Sequence, residues 1–255
     1  MTTAAVRRAG ARLLNRYSTE SRPTSMAELL TALRANDVAV ADVLRPTLTE
    51  SLPGSTWEED EHASGPMPMG DWWVVDPVGG NINTIHGLTD WNIGVSLVRD
   101  GQPVLAVVHV PQVDETFTAI AGGGAFLNGV PLRVSAKSDL AAALVGTGQA
   151  KPSQAVAGAE RIGASITAMM QHALYVRVSV PVGHQLAHVA AGRMDLHWQF
   201  DNVRSHIGPV LLVEEAGGTV TDLHGQPWNI ASDGYLAAAP GLHAAALAIL
   251  QNATT

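Results

Sequence analysis

The chain has 255 residues, of which 46% are hydrophobic and 15% are charged, and its formal net charge at pH 7 is -8. An average soluble chain has about 25% charged residues, so this composition favours a folded protein with a sizeable core over a disordered one. The negative charge argues against nucleic acid as a partner, because polyphosphates bind to positive surfaces. Cysteine is absent; this excludes disulfides, thiolate metal sites and a cysteine nucleophile, and it fits a reducing cytoplasm.

The N-terminal region is predicted to be helical. Residues 1–19 contain four arginines and no acidic residue, a composition that a targeting peptide would share. However, no apolar segment follows, and the apolar residues recur at helical spacing, so we predict an amphipathic helix there. Two more helices are predicted over 26–34 and 38–48. No apolar run reaches the roughly 18–20 residues that a membrane span requires, so no membrane partner is expected.

From Trp72 onward, short apolar runs alternate with helical patterns. Strands are predicted over 72–76, 94–101, 103–111, 116–120, 131–134, 140–147, 175–180 and 194–200. Turns are predicted at Asp100-Gly101 and Asn128-Gly129. Helices are predicted over 154–172, 184–191 and 209–216, and residues 151–160 are predicted to be a loop or a loose helix. The last helix is followed by Gly217 and Gly218, which are typical of a helix C-terminus.

The composition shifts between residues 138 and 150. We therefore predict one compact unit of two parts, an N-terminal α+β half over 1–140 and a C-terminal α/β half over 141–255.

The segment DWWVVDPVGGNINTIHG, residues 71–87, is the most informative part of the sequence. A buried strand leads into Asp76, and a turn with Gly79 and Gly80 follows. A carboxylate at the end of a strand, followed by a flexible turn with free backbone N–H groups, is an arrangement in which those N–H groups can face an anion. The same residues are equally typical of a plain strand-to-helix turn in which Asp76 caps the helix.

This segment resembles the Asp-Pro motif of the inositol monophosphatase family, the magnesium-dependent, lithium-sensitive phosphomonoesterases. The matching positions are Asp76, Pro77, Val78, Gly80, Asn83 and His86. The resemblance continues through GGGAFLNG, VAAGRMD and LLVEEAGGTVTDLHGQPW, and covers about residues 57–240. It implies an α/β fold, the layered αβαβα sandwich of the sugar-phosphatase superfamily, and a homodimer as the assembly.

The resemblance also implies a set of magnesium ligands, namely an upstream Glu, both Asp residues of the motif and a third Asp. Asp76 keeps the first motif position, and Glu59 and Glu61 are our predictions for the upstream carboxylate. Gly79 replaces the second motif Asp. The third Asp lies ten residues before the Glu of the shared Glu-Ala-Gly-Gly, which places Ser205 at its position. We therefore expect no cofactor or one weakly bound Mg²⁺.

Two further substrate-side features differ from the family pattern. Asn81 stands where the family has a Thr, and residues 180–183 replace its Gly-Ser/Thr-Ala-Ala. The differences are concentrated at ligand positions, while the turn glycines and strand cores are kept, and this pattern predicts a retained fold with altered chemistry.

The polar residues near the altered pocket are our candidates for that chemistry. We predict catalytic roles for Asp76, Asp201 and His206, since a histidine exchanges protons near neutral pH. Arg204 is suited to pair bidentately with an anionic group of a substrate. The residues predicted to bind substrate are Gly79, Gly80, Asn81, Asn202, Arg204 and Ser205.

Structural interpretations remain open for several of these positions. Ser205 is also suited to cap a helix that has Pro209 in its first turn, and His206 is also typical of a helix start. His184 and His188 have the i, i+4 spacing of a zinc site, on a helix that the family uses for packing.

Three functions are compatible with these observations. The first is an enzyme of small-molecule metabolism that no longer hydrolyses phosphate and instead uses acid–base or binding catalysis, as in a cyclisation, isomerisation or elimination. The second is a phosphomonoesterase that acts on a sugar or cyclitol phosphate through one Mg²⁺. The third is a non-catalytic binding protein.

Overall fold

Seven helices and twelve strands form in the part of the chain that the computed structural model describes, which is residues 1–20, 22–148 and 155–253. The helices are α1 Thr2–Leu14, α2 Met26–Ser51, α3 Asn81–Ile85, α4 Val156–Met170, α5 Val182–Ala190, α6 Ile207–Glu215 and α7 Pro240–Ala253. The strands are β1 Thr56–Trp57, β2 Asp71–Gly79, β3 Asn92–Arg99, β4 Gln102–Val110, β5 Glu115–Ile120, β6 Gly124–Leu127, β7 Val130–Pro131, β8 Leu144–Thr147, β9 Tyr175–Val178, β10 Leu196–Gln199, β11 Thr219–Thr221 and β12 Tyr235–Ala238.

The first sheet contains β1 to β7 in chain order. Only β1 and β2 are parallel, and β2 to β7 form an antiparallel meander. The connection from β2 to β3 contains α3, and the later strands are joined by short turns. Asp100 and Asn128 adopt positive φ in two of these turns, each directly before a glycine, as the Asp-Gly and Asn-Gly pairs in the sequence predict.

The second sheet has the order β11-β12-β10-β8-β9. Strands β8, β9 and β10 are parallel to one another, and β12 is antiparallel to both of its neighbours. The chain passes from the first sheet to the second between Pro131 and Leu144, close to the composition change.

The two sheets and the helices form five layers, α/β/α/β/α. Helices α1 and α2 bury Val6, Leu13 and Leu44 against one face of the first sheet. Helices α5 and α6 lie between the sheets, and α4 and α7 cover the outer face of the second sheet. Each fully buried aliphatic side chain contributes about 1.5–3 kcal/mol of transfer free energy, so each of these layers is held by its apolar face.

Helix α2 is longer than the sequence analysis predicts. The predicted helices over 26–34 and 38–48 form one helix, because Asn36 and Asp37, which interrupt the apolar pattern, bond to other parts of the fold. Both side chains bond to the side chain of Asn81, which begins α3. Tertiary hydrogen bonds therefore allow two residues of low helix propensity to lie inside a helix.

Other differences concern element ends. Residues 140–147 begin with a 3-10 turn, and the strand starts only at Leu144. Residues 151–154 of the predicted loop and helix lie outside the described residues, and α4 begins at Val156.

The interpretation of Ser205 as a helix cap is wrong, because a 3-10 turn over Arg204–His206 leads into α6 and no side chain caps that helix.

Within the described residues, no helix has both the length and the apolar character needed to cross a membrane.

Candidate active site

A cavity of about 430 Å³ opens where β2, α2, α5 and the segment after β10 meet. The predicted site residues that line it are Glu61, Asp76, Gly79, Gly80, Asn81, Asp201, Ser205 and His206. Residues separated by more than a hundred positions in the sequence are therefore brought to one place, as a substrate site requires.

The turn between β2 and α3 forms one wall of the cavity. Asp76 lies within β2, whose pairing with β3 is irregular between Asp76 and Gly79. Gly80 has a φ of 75°, and a Cβ there would lie 2.9 Å from both the Asp90 carbonyl oxygen and the Pro181 Cδ. Only glycine fits this left-handed position without strain. The interpretation of Asp76 as a helix cap is therefore wrong, since Gly80 precedes the first residue of α3.

Asp37 lies in the same cavity and is a residue that the sequence analysis missed. The Asn81 side-chain amide donates hydrogen bonds to Asp37 Oδ1 at 2.7 Å and to the Leu33 carbonyl oxygen at 3.0 Å. Asn81 Oδ1 accepts a hydrogen bond from Asn36 Nδ2 at 3.0 Å. An adjacent Asn-Asp pair inside a helical pattern was the available signal, because such residues are unfavourable in a helix unless their side chains find partners.

Burial raises the pKa of Asp37 above its ordinary value, and the hydrogen bond from Asn81 lowers it and offsets part of the effect. A carboxylate with a raised pKa is a better proton acceptor than a solvated one. Asp37 is therefore suited to accept a proton from a group bound in the cavity.

The opposite wall comes from the segment between β10 and α6, which contributes Asp201, Ser205 and His206. The Ser205 N–H donates to the Glu61 carbonyl oxygen at 3.0 Å, so this segment is fixed to the loop after β1. The His206 ring packs edge-on against the buried Tyr235 ring, with 5.7 Å between the centroids. The ring orientation of His206 is therefore set by packing.

Three predicted site residues lie away from the cavity. Glu59 is exposed and pairs with Arg45, so Glu61 is the upstream carboxylate that the geometry supports. Asn202 is buried and donates to the carbonyl oxygens of Asn229 and Ile230 at 3.2 Å. Asn202 therefore fixes a loop and is not positioned to bind substrate.

Arg204, which is also predicted to bind substrate, likewise lies away from the cavity. Its guanidinium is buried, it lies 3.5 Å from a Glu58 carboxylate oxygen, and it donates to the carbonyl oxygens of Ser64, Gly65 and Pro66. The guanidinium is therefore engaged by groups inside the protein, and it is not available to bind an anionic substrate.

The paired histidines of α5 also lie outside the cavity wall. Their rings are 4.3 Å apart between centroids, and burial lowers the pKa of His188 to about 4, so it is neutral at pH 7. Across the described part of the chain, no group of three or more His, Asp or Glu side chains is arranged to hold a metal.

The charged side chains that line the cavity are mostly negative. Four carboxylates line it, and no Lys or Arg side chain does within the described residues. Among the described residues, the basic side chains in the lining are His62 and His206, and His62 Nε2 lies 3.6 Å from Glu61 Oε1. An anionic ligand would be repelled here unless a cation enters with it.

The profile of the inositol monophosphatase family matches residues 1–255. The chain belongs to this family. It is 37% identical over 186 residues to an inositol-1-monophosphatase of Rhizobium meliloti, covering 72% of this chain and 69% of that one. It is 31% identical over 223 residues to inositol monophosphatase 1 of Solanum lycopersicum, covering 84% and 81%.

Solved structures agree with this assignment. The extragenic suppressor protein SuhB of Bartonella henselae superposes with a TM-score of 0.81 at 27% identity, covering 98% of this chain and 96% of that chain. An inositol monophosphatase of Anabaena superposes with a TM-score of 0.79 at 27% identity, covering 98% and 93%. The predicted family and the predicted αβαβα fold are confirmed.

The side chains present fit one magnesium ion better than two. Magnesium is commonly held by one or two carboxylates, with water and substrate phosphate completing six oxygen ligands. Asp76 and Glu61 provide two carboxylates in one cavity. Gly79 and Ser205 provide no charge at the two positions where the resemblance implies further carboxylates.

Proposed function

We propose that this protein is a magnesium-dependent phosphomonoesterase that acts on a sugar or cyclitol phosphate through one bound cation. Membership of the inositol monophosphatase family and the names of the relatives support this function. The observation that carries it is the charge of the cavity, since four carboxylates and, among the residues that the structure describes, no Lys or Arg form the lining. A phosphate ester, itself an anion, can bind among these groups only together with a cation.

Asp76 and Glu61 would hold the cation, since both carboxylates line the cavity. When bound, Mg²⁺ neutralises the phosphate oxygens and polarises the phosphorus centre. The turn over 79–81 closes the cavity beside Asp76. A cavity of about 430 Å³ is at the lower end of the range for small-molecule sites, which suits a monosaccharide or cyclitol rather than a large ester.

Asp37 acts as the general base in this proposal. The oxygen of a water forms a bond to phosphorus, the bond between phosphorus and the ester oxygen breaks, and the bonding electron pair leaves with that oxygen. Asp37 takes a proton from the water, and the Asn81 amide holds the carboxylate in place through the hydrogen bond at 2.7 Å. A positioned base contributes about 10²–10⁴-fold to such a rate.

His206 acts as the general acid on the opposite wall. It gives a proton to the departing ester oxygen, so the products are inorganic phosphate and the free polyol, and it regains its proton from solvent. Asp201, on the same wall, accepts hydrogen bonds from hydroxyl groups of the sugar or cyclitol.

The test is phosphate release from a panel of sugar and cyclitol monophosphates, with Mg²⁺ and with a chelator. Release that needs Mg²⁺, together with calorimetric binding of one Mg²⁺ per chain, is the expected result. An absence of release from the whole panel, with no cation bound at millimolar Mg²⁺, would contradict the proposal. Ligand-dependent thermal stabilisation without turnover would instead indicate a binding protein.

A second function is favoured by one specific observation, the neutral residues Gly79 and Ser205 in the cavity wall. An enzyme that has lost part of its cation-binding charge is suited to acid–base catalysis on a small metabolite without hydrolysis. Turnover of an organic substrate that continues in the chelator and releases no phosphate would establish this function in place of the first.

A further inference from the structure

Asn92 is a buried polar residue whose side chain lies next to the cavity. It begins β3 and is 1% exposed. Its side-chain oxygen and nitrogen both have no hydrogen-bond partner among the described residues. A buried amide without partners is costly, and in native proteins such a group is commonly associated with a ligand, a water or a functional constraint.

The Asn92 amide lies beside Gly79 and Asp76. A Cβ built on Gly79 would lie 2.7 Å from Asp76 Oδ2, 2.8 Å from Asn92 Oδ1 and 2.9 Å from Asn92 Nδ2. Each of these distances is well below the roughly 3.5 Å at which nonbonded atoms make favourable contact. The backbone of Gly79 does not have the positive φ that only glycine tolerates. Its neighbours, rather than its conformation, therefore exclude a side chain.

The register of the sheet explains this proximity. Gly79 is directly opposite Asn92 in the antiparallel pair β2–β3, and Asp76 is opposite Gly94. Directly opposite residues in such a pair have side chains that touch. Asn92 therefore fills the space that belongs to a side chain at position 79.

Two further glycines, Gly94 and Gly183, lie near the amide. A Cβ on Gly183 of α5 would lie 3.4 Å from Asn92 Nδ2, and one on Gly94 would lie 3.9 Å from it. The side chain thus lies beside three glycines, at positions 79, 94 and 183. A side chain at position 79 would need the Asn92 amide to shift or to be removed.

We propose that Asn92 is a site residue whose carboxamide occupies the space beside Asp76 that a carboxylate at position 79 needs, and so limits the site to a single divalent cation. The amide brings no charge, so it replaces an anion with a neutral group. The cation count rests on the proposed function, whereas the competition between positions 79 and 92 for space does not.

The first test measures the competition for space by thermal unfolding without added metal. Gly79→Asp is expected to lower Tm by about 4 °C or more, because overpacking a filled site is destabilising. Gly79→Asp/Asn92→Ala is expected to recover most of that loss. Gly163→Asp is the matched control, since a side chain there meets open space on α4, and it should leave Tm nearly unchanged.

Gly79→Asp as stable as the unmodified chain would overturn the proposal, and so would a double variant no more stable than Gly79→Asp. If Gly79→Asp does not fold at all, a folded double variant supports the proposal, and a double variant that also fails to fold contradicts it.

The second test counts Mn²⁺ ions by calorimetry. Gly79→Asp/Ser205→Asp, which keeps Asn92, is expected to bind one ion per chain. Adding Asn92→Ala to these two substitutions is expected to raise the count to two. Equal counts in the two variants would overturn the proposal. If the unmodified chain binds no Mn²⁺ at all, the proposed function fails, and the thermal comparison still decides the inference about Asn92.

Discussion

Two buried polar side chains outside the cavity lining, Arg204 and Asn92, have sharply different surroundings. Arg204 is 5% exposed and is saturated by Glu58 and by three carbonyl oxygens of the loop after β1. Asn92 is 1% exposed and has no partner for either polar atom within the described chain. Buried groups with a structural role are normally satisfied inside the protein. Arg204 therefore belongs to the hydrogen-bonded framework, whereas Asn92 makes no side-chain hydrogen bond to it within the described residues.

The carboxylates also differ in this way: one is bonded inside the protein, and others line the cavity. Asp195 is buried and accepts from Lys137 Nζ at 2.8 Å and from the Leu144 N–H at 2.7 Å, which fixes the start of the second sheet. Asp37, Glu61 and Asp76 instead line the cavity. Disrupting the framework should therefore cost stability, whereas changing the cavity should cost binding and turnover.

The largest expected effect is on stability. Arg204→Ala should lower the free energy of unfolding by about 3–5 kcal/mol, because it leaves Glu58 and several buried carbonyl groups without their partner. Arg99→Ala is the control, since its pair with Asp71 lies at the surface and should contribute about 1 kcal/mol or less. Urea unfolding measures the stability of both variants. Equal losses would mean that Arg204 contributes no more to stability than a surface ion pair does.

The next largest effect is on turnover. Asp76→Asn should reduce kcat/KM by more than about 100-fold, since even residues that only support a metal ligand contribute about 10–100-fold. Unfolding of this variant in urea should change little. Steady-state phosphate release measures the loss, and a variant with more than a tenth of the original rate would place the cation elsewhere.

Asp37→Asn tests the general base. It should lower kcat by about 100-fold, the lower end of what a positioned base contributes. Burial raises the pKa of Asp37, and the base works only when ionised, so the rate of the unmodified chain should fall as pH drops through that raised pKa. The Asp37→Asn variant should lose this fall in rate at low pH.

Asn81→Ala should move the fall in rate to higher pH, because it removes the hydrogen bond that lowers the pKa of Asp37. An unchanged pH–rate profile would contradict the proposed role of Asp37 and Asn81.

The smallest effect separates two glutamates of one loop. Glu61→Gln should weaken Mg²⁺ binding by about 10-fold, the lower end of the effect for groups around a metal. Glu59→Gln should leave the affinity unchanged, because Glu59 is exposed and pairs with Arg45. Calorimetry on both variants decides the matter, and a larger loss in Glu59→Gln would reverse the assignment of the upstream carboxylate.

Much of the framework could be predicted from the sequence because its signals are local. Apolar runs identified β2, β4 and β10, and the Asp-Gly and Asn-Gly pairs identified turns whose backbone is left-handed. The Asp-Pro segment and the Glu-Ala-Gly-Gly segment carried the family resemblance. On this basis Asp76, Gly79 and Ser205 were predicted to share one site, and all three line the cavity; the loss of metal ligands at positions 79 and 205 stays a prediction.

The tertiary structure decided which polar residues share a site. Asp37 and Asn81 are 44 positions apart and meet only because α2 packs beside α3. Arg204 follows β10 closely, as a substrate ligand would, yet it turns into the protein to hold the loop after β1. Asn92 gives no sequence signal at all, because its meaning comes from its cross-strand neighbour. Local patterns determine the elements and their turns, but partners and burial depend on contacts between distant segments, and those exist only in the folded chain.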